Sequence, residues 1–357
     1  MNLTFKIYNN LDDQISKYWS ELEQKSTITC FQNYDWFKIW YEIFRKDSLK
    51  YQIKIICIFE NSLPVAIFPF EIKKKFNLNI LFWAGGNKSD YFYPIIKNDF
   101  IFNKDSFNNL FNKIILQINV IDLICLRRQI NYFNSKKNPF VFYLNGNNED
   151  SNVYIINLPD KWNIYTKNYL KKNFFKQNLR KIKKLKENGI LRFVNSNDDN
   201  TCFFLLDKLF SYKNQQLKKK KIRIFNDLDI SFYRKIFENY KKKNQSLLSY
   251  LSLNNEILSV HFGLKQNNHF YYLIIAKNNS KFDIYSPSRL LISFLIRWSI
   301  SKRVNIFDFT LGDEKYKSSW SNESLTIFNY CKLIKFKAFY YFIFLKTYFF
   351  LRKFYKI

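Results

Sequence analysis

Histidine, glycine, proline and paired cysteine are the scarce materials of this chain, and each scarcity excludes something. Only His261 and His269 offer imidazole, and the five cysteines (Cys30, Cys57, Cys125, Cys202, Cys331) are spread out with no CxxC pair. A metal site needs several such ligands in register, so no metal is expected. The odd count and wide spacing also speak against a disulfide framework. The thiols read as reduced, buried small hydrophobes of a cytoplasmic protein. The opening M-N-L-T-F-K-I-Y-N-N lacks the apolar stretch of a secretory leader. No run reaches the roughly 18 to 20 apolar residues that a spanning helix requires.

Glycine and proline number six each, while Lys, Asn, Ile, Phe and Tyr are abundant. The favoured residues share A/T-rich codons, so the formal net charge of +29 is discounted as a sign of nucleic-acid binding. It still predicts attraction to anions: phosphate cofactors, acidic glycans or anionic lipid headgroups. Hydrophobic residues at 47% and aromatic residues at 20% exclude a disordered chain. A length of 357 residues suits two domains, each with its own core.

The apolar periodicity predicts an α/β chain with mixed sheets. Two helical pieces fall within residues 10 to 46. A hairpin follows, Gln52–Glu60 and Pro64–Ile72 across an Asn61-Ser62 turn, then a strand Asn79–Trp83. A helix fits Lys104–Ile118 and a strand fits Val120–Leu126. In the second half a hairpin (Leu247–Leu253, Glu256–Lys265) and a strand His269–Ala276 precede a helix ending near Ser301 and a strand Val304–Leu311. Both halves therefore run meander, helix, strand, which points to an internal duplication. The domains expected are 1–162, 163–333 and a basic aromatic tail, 334–357.

Between the halves, Leu170 to Lys186 forms a basic helix with Phe175, Leu179, Ile182 and Leu185 at helical spacing. It reads either as a solvated face or as an anion-contacting helix, with Lys172 and Arg180 among its contacts. The run Lys218 to Lys221 is expected to be a loop.

The stretch that organises the second half is V-N-I-F-D-F-T-L-G-D-E-K-Y-K-S-S-W, Val304 to Trp320. Phe307, Phe309 and Leu311 alternate with Asp308 and Thr310, and Gly312 then releases Asp313, Glu314, Tyr316 and Lys317 into one loop. Ligands of α/β folds gather where strands end, so chemistry is expected there, against the plainer reading of a solvated turn. Upstream, Ser286 suits an N-cap and Pro287 the first helical position. The start of that largely buried helix would offer free N–H groups and partial positive charge to an anion, with Ser288 and Arg289 as added donors. Ordinary capping accounts for the same residues.

These residues carry a resemblance. R-x-x-K-K-L-x-x-x-G (Arg180 to Gly189), L-S-L-N-N-E-I-L-S-V-H-F-G-L (251–264), Y-S-P-S-R-L-L (285–291) and F-D-F-T-L-G-D-E-K-Y-K-S-S-W (307–320) resemble the CelD/BcsL-type acetyltransferases. That family lies in the GNAT superfamily and is related to the FemAB aminoacyltransferases. The resemblance implies two tandem GNAT-like domains and an acyltransferase that moves an acyl group, acetyl above all, from acyl-CoA to an amine. The acceptor implied is an amino sugar or other glycan precursor of envelope or exopolysaccharide synthesis. It also implies a CoA diphosphate near Tyr285, Ser286, Ser288, Arg289 and Leu290. Ser288 stands where the family usually has glycine.

Thioester-to-amine transfer needs a base for the ammonium, donors for the oxyanion and a proton for the leaving thiolate. Asp308 is expected as base or acceptor-orienting group and Tyr316 as acid, with Glu314 beside them. Thr310, Asp313, Lys317, His261 and Trp320 would shape the acceptor site. An ion pair of Lys317 with Asp308 or Glu314 that only holds the loop is the competing reading. Two rival functions remain: a FemAB-like transferase using aminoacyl-tRNA, and an inactive scaffold of a glycan-synthesis complex.

The tail from Ile334 is dense in Phe and Tyr with interspersed bases. Its uncharged run is too short to span a bilayer, so it lies either in an anionic membrane interface or packed on a domain. The location expected is cytoplasmic, peripheral to the inner membrane face in the first case.

Overall fold

The computed structural model describes residues 3–355 except 47, 197 and 313. The chain forms two compact units, Met1–Asn152 with Leu325–Ile357, and Val153–Ser324.

In unit 1 a meander of Tyr51–Glu60, Leu63–Lys75 and Leu78–Trp83 is followed by helix Lys104–Ile118 and strand Leu123–Ile130, which pairs parallel to Leu78–Trp83. The first hairpin turns at Asn61 and Ser62, both at positive φ (50° and 65°), the geometry that matches the twist of paired strands. Asn103 caps the helix by accepting from Ser106 N, and Asn119 ends it in the left-handed region. That turn delays the next strand to Leu123, three residues after the expected start. Strand Leu3–Tyr8 adds antiparallel to Tyr51–Glu60, and strand Glu323–Leu333 closes the far side against Leu123–Ile130. Helices Asp13–Lys25 and Tyr34–Phe44 supply buried Trp19, Trp36 and Trp40.

Unit 2 repeats this order. The meander is Ser246–Leu253, Glu256–Gln266 and His269–Lys277, the helix is Pro287–Ser301, and strand Ile306–Leu311 pairs parallel to the third meander strand. Strand Leu191–Ser196 adds at one side, and residues 153–157 close the other against Ile306–Leu311. The sheet divides two layers of helices. The Ser259 and Ser288 hydroxyls meet at 3.0 Å, so Ser259 and His261 face helix Pro287–Ser301. Phe262, the next residue and of opposite parity, turns the other way onto Phe237 and Tyr233 of helix Asp227–Lys242.

These closing strands explain why the units are cut at 152/153 and 324/325 and not at the expected 162/163 and 333/334. Each sheet takes its last strand from outside its own meander–helix–strand segment. The tail is also no separate body. Ala338, Leu345 and Phe349, the latter two of helix Phe339–Tyr355, bury against Leu78, Ile80, Leu123 and Cys125 of unit 1. At its root the buried Asp122 carboxylate accepts from Asn79 N (2.8 Å) and pairs with Lys337 (2.9 Å). Burial would raise the Asp122 carboxyl, but the Asn79 N–H and the lysines outweigh it and hold it below its usual range.

The run Lys218 to Lys221 is not a loop throughout. Helix Asp199–Lys219 takes in its first two residues, where exposed lysines suit a helix C-terminus, and the chain leaves at Lys221 with φ 56°.

Candidate active site

Strands His269–Lys277 and Ile306–Leu311 start as a parallel ladder and then part. Their pairing runs from His269/Ile306 to Tyr271/Asp308 and stops there, although both strands continue. The cause is local. Thr310 has φ 56°, which a β-branched residue adopts only when held. The Asp308 Oδ1 accepts the Thr310 N–H at 2.6 Å, and the Thr310 hydroxyl donates to the Tyr272 carbonyl at 3.2 Å. The same kink puts a bulge between Asp308 and Leu311 in the ladder to residues 153–157.

This geometry corrects the expectation that Asp308 is the base beside the helix start. Asp308 is fully buried, and its Oδ2 lies 3.2 Å from His269 Nε2. Its neighbours His269 and Tyr271 stack on one another at 4.2 Å. Strand alternation therefore places Asp308 on the face opposite helix Pro287–Ser301. Its work is to hold Thr310, and with it the opening between the strands.

On the helix side of the opening stand other groups. Tyr272 stacks on His261 at 4.7 Å, and its phenol interacts with that of Tyr316. Burial first, then the nearby Glu314 carboxylate, raises the Tyr316 phenol well above its ordinary value, so it is protonated at neutral pH. Glu314 is exposed and reaches Lys317 at 3.0 Å, while Lys317, only 4% exposed, donates to the Leu311 carbonyl at 2.7 Å. Lys317 is thus a buried lock of the loop, as the competing ion-pair reading has it. Gly312 is required here by its φ of 131°, which side-chain-bearing residues rarely adopt; a Cβ would also crowd the movable ends of Glu314 and Lys317. Asp313 falls outside the described residues.

Two further expected acceptor contacts are interior. Trp320 is fully buried, with its ring edge-on to Phe174 at 4.8 Å and its carbonyl accepting from Tyr165 Oη at 2.6 Å. His261 is fully buried and neither ring nitrogen has a hydrogen-bond partner. Burial pushes its pKa down to about 3, so the ring is neutral. One group was missed: Lys213 of helix Asp199–Lys219 donates to the Ile275 carbonyl at 3.2 Å and feels the Glu314 charge. Nothing in its sequence neighbourhood marks it, since the helix that brings it to the sheet packs from the other layer.

At the start of helix Pro287–Ser301 the residues expected to form an anion cradle are arranged differently from the expectation. Ser286 has φ 56° and ψ 61° and makes no side-chain cap, so it is not the N-cap device expected. Its hydroxyl instead accepts from Lys181 Nζ at 2.7 Å. Pro287 does occupy the first helical turn. Arg289 stacks on Phe174 at 4.0 Å and donates to the Phe174 carbonyl at 3.3 Å, leaving its buried Nε without a partner. Burial lowers the pKa of both Lys181 and Arg289, and Arg289 further lowers that of Lys181. Among the described residues neither has a carboxylate partner. Tyr285 is half-buried at the margin of the core and Leu290 lies within it.

The helix Lys172–Lys186 presents a different side from the one expected. Lys172 and Arg180 are exposed, and Leu179 is 49% exposed. The inner side carries Asn178, Lys181 and Leu185, three and four residues apart. The Asn178 amide is buried with both polar atoms unpartnered, one turn from Lys181.

Residues 172–318 match the family model described as an acetyltransferase (GNAT) domain. The fold is a tandem GNAT fold. Among solved structures the chain is similar to FemX, with a TM-score of 0.60 and 12% identity over 92% of this chain and 97% of that one. It is similar to a conserved protein of unknown function from Bacteroides thetaiotaomicron VPI-5482, with a TM-score of 0.57 and 11% identity over 93% and 100% of the two chains. L-PGS from Bacillus licheniformis aligns at 0.53 with 8% identity, covering 92% and 94%. No curated protein matches the sequence. Identities this low establish the fold alone.

Proposed function

We propose that unit 2 is an N-acyltransferase of the CelD/BcsL type, moving an acyl group, acetyl above all, from acyl-CoA to an amine. The observation that carries this is the joint placement of two features. A pair of cations with no counter-carboxylate among the described residues sits at a helix start, and the adjoining strands open on the same face of the sheet. Lys181 and Arg289, with the N–H groups at the start of helix Pro287–Ser301, suit a diphosphate. The unpaired Arg289 Nε and Asn178 amide add donors that such a ligand would satisfy. Ser288 turns its hydroxyl to Ser259, so it does not block that helix start as a glycine replacement would if it faced outward.

In the reaction the acceptor nitrogen attacks the thioester carbon, the C–S bond breaks and an amide forms. Glu314, exposed at the mouth of the loop, takes the ammonium proton in place of Asp308. Tyr316, kept protonated, donates to the leaving sulfur. Beyond Tyr271, strand His269–Lys277 is no longer paired with Ile306–Leu311, and its edge there would offer backbone N–H groups to the developing oxyanion. The acceptor proposed is an amino sugar of an envelope or exopolysaccharide precursor, and the place of action the cytoplasm.

A second reading keeps the fold and takes the donor from aminoacyl-tRNA. It is favoured by the exposed bases of helix Lys172–Lys186 and by the fold likeness to FemX and to the L-PGS protein. Thermal melts separate the two. The acyl-CoA reading expects acetyl-CoA to raise Tm and tRNA to leave it unchanged. Stabilisation by tRNA alone supports the second reading, and stabilisation by neither supports an inactive scaffold.

A further inference from the structure

The tail helix of unit 1 is apolar on both sides, and only one side is covered. Opposite the buried Leu345 and Phe349, Tyr340 is 85% exposed, Phe344 59% and Ile343 46%. A second element joins this surface. Phe76, 75% exposed at the tip between strands Leu63–Lys75 and Leu78–Trp83, meets Tyr341 edge-on at 5.8 Å, and Tyr341 stacks with Phe344 at 5.9 Å. Lys75 Nζ lies 5.1 Å and 5.3 Å from the centroids of the Phe76 and Tyr341 rings and donates to the Tyr341 hydroxyl at 3.0 Å. Residues more than 260 positions apart thus form one aromatic surface with a cation set into it. Apolar patches of this kind on a folded protein mark a contact surface.

We propose that this surface rests in the interface of an anionic bilayer, the rings entering the headgroup–acyl boundary and the lysines meeting lipid phosphates. Charge selects this occupant. Lys73, Lys74 and Lys75 lead into the tip, and residues 334–357 hold six bases and no acid. A second copy of this chain would also cover the rings, but it would bring two such basic rims together, each on a chain of net charge +29. Geometry agrees. The helix of 17 residues is about 25 Å long, short of the roughly 30 Å hydrocarbon core, so it lies along the membrane. No described helix is long and apolar enough to cross a membrane. The inference does not depend on the acyl-transfer reading.

The test is co-sedimentation of the full chain with phosphatidylcholine vesicles, with and without phosphatidylglycerol, at low and raised salt. Partition onto the anionic vesicles is expected to persist in part at raised salt. The double variant Phe76→Ser/Phe344→Ser should lose about tenfold or more in partition at unchanged Tm. A Phe344→Trp variant should be quenched by bromolipids, which reports ring insertion directly. Equal partition of parent and double-serine variant would overturn the proposal, because bulk charge would then suffice. A dimer in light scattering that the same double variant dissolves would also overturn it, as the surface would then belong to a second copy. Acetyl-CoA melts of the double variant stay as in the parent in either case, which keeps this result apart from the reaction itself.

Discussion

The Asp308 carboxylate and the Thr310 N–H are 2.6 Å apart, and that bond holds a β-branched residue in the left-handed region at the point where two parallel strands separate. The acid that looked catalytic by position is a backbone clamp. Asp308→Asn keeps an acceptor oxygen for Thr310, so its activity is expected within about tenfold of the parent. Asp308→Ala removes it and should cost about 1–3 kcal/mol of stability together with most of the activity. Urea melts and initial rates on both variants check this. A loss near 10³-fold in a well-folded Asp308→Asn would restore the general-base role.

Burial and then the Arg289 charge lower the pKa of Lys181, and the proposed diphosphate would relieve that repulsion. Lys181→Gln should therefore weaken acetyl-CoA about five- to tenfold while leaving the ligand-free Tm unchanged or slightly higher. Calorimetric titration and melts read the two effects separately. A lowered ligand-free Tm with unchanged affinity would make Lys181 a purely structural partner of Ser286.

Burial keeps Tyr316 protonated, and Glu314 is the exposed carboxylate next to it. Tyr316→Phe is expected to reduce kcat about 10²-fold with little change in the affinity for acetyl-CoA. Glu314→Gln should flatten the acid limb of the kcat/KM profile. Should Tyr316→Phe turn over at the parental rate, another proton source serves the leaving group.

His261 has an ordinary value of 6.5 and a folded value near 3. As pH falls below 6.5 the unfolded chain takes up the proton first, so stability is fullest above 6.5 and is lost on the way down to 3. The loss between pH 7 and pH 5 from this residue alone is about 2 kcal/mol. In urea melts at the two pH values, His261→Phe should lose less than the parent by about that amount. A parallel pH dependence in both proteins would remove His261 as the cause.

Much of the fold was legible from local chemistry. The Asn61-Ser62 turn, helix Lys104–Ile118 and the repeated meander, helix and strand follow from periodicity and turn residues, which act over a few positions. The start of helix Pro287–Ser301, where the anion site is proposed, was legible through Pro287, but the contacts of its side chains were not. Arg180 and Lys181 are adjacent in sequence, and only the packing of Asn178 and Leu185 against the domain decides that Lys181 turns inward.

What the sequence determined by itself is therefore the set of elements and the neighbourhood of the site, because capping, turns and alternation are settled within one segment. Tertiary structure alone decided that Asp308 clamps Thr310, that Trp320 is core, that Lys213 reaches the opened strand, and that Phe76 joins the tail. Each of these depends on which distant element covers a side chain, and no local pattern contains that information.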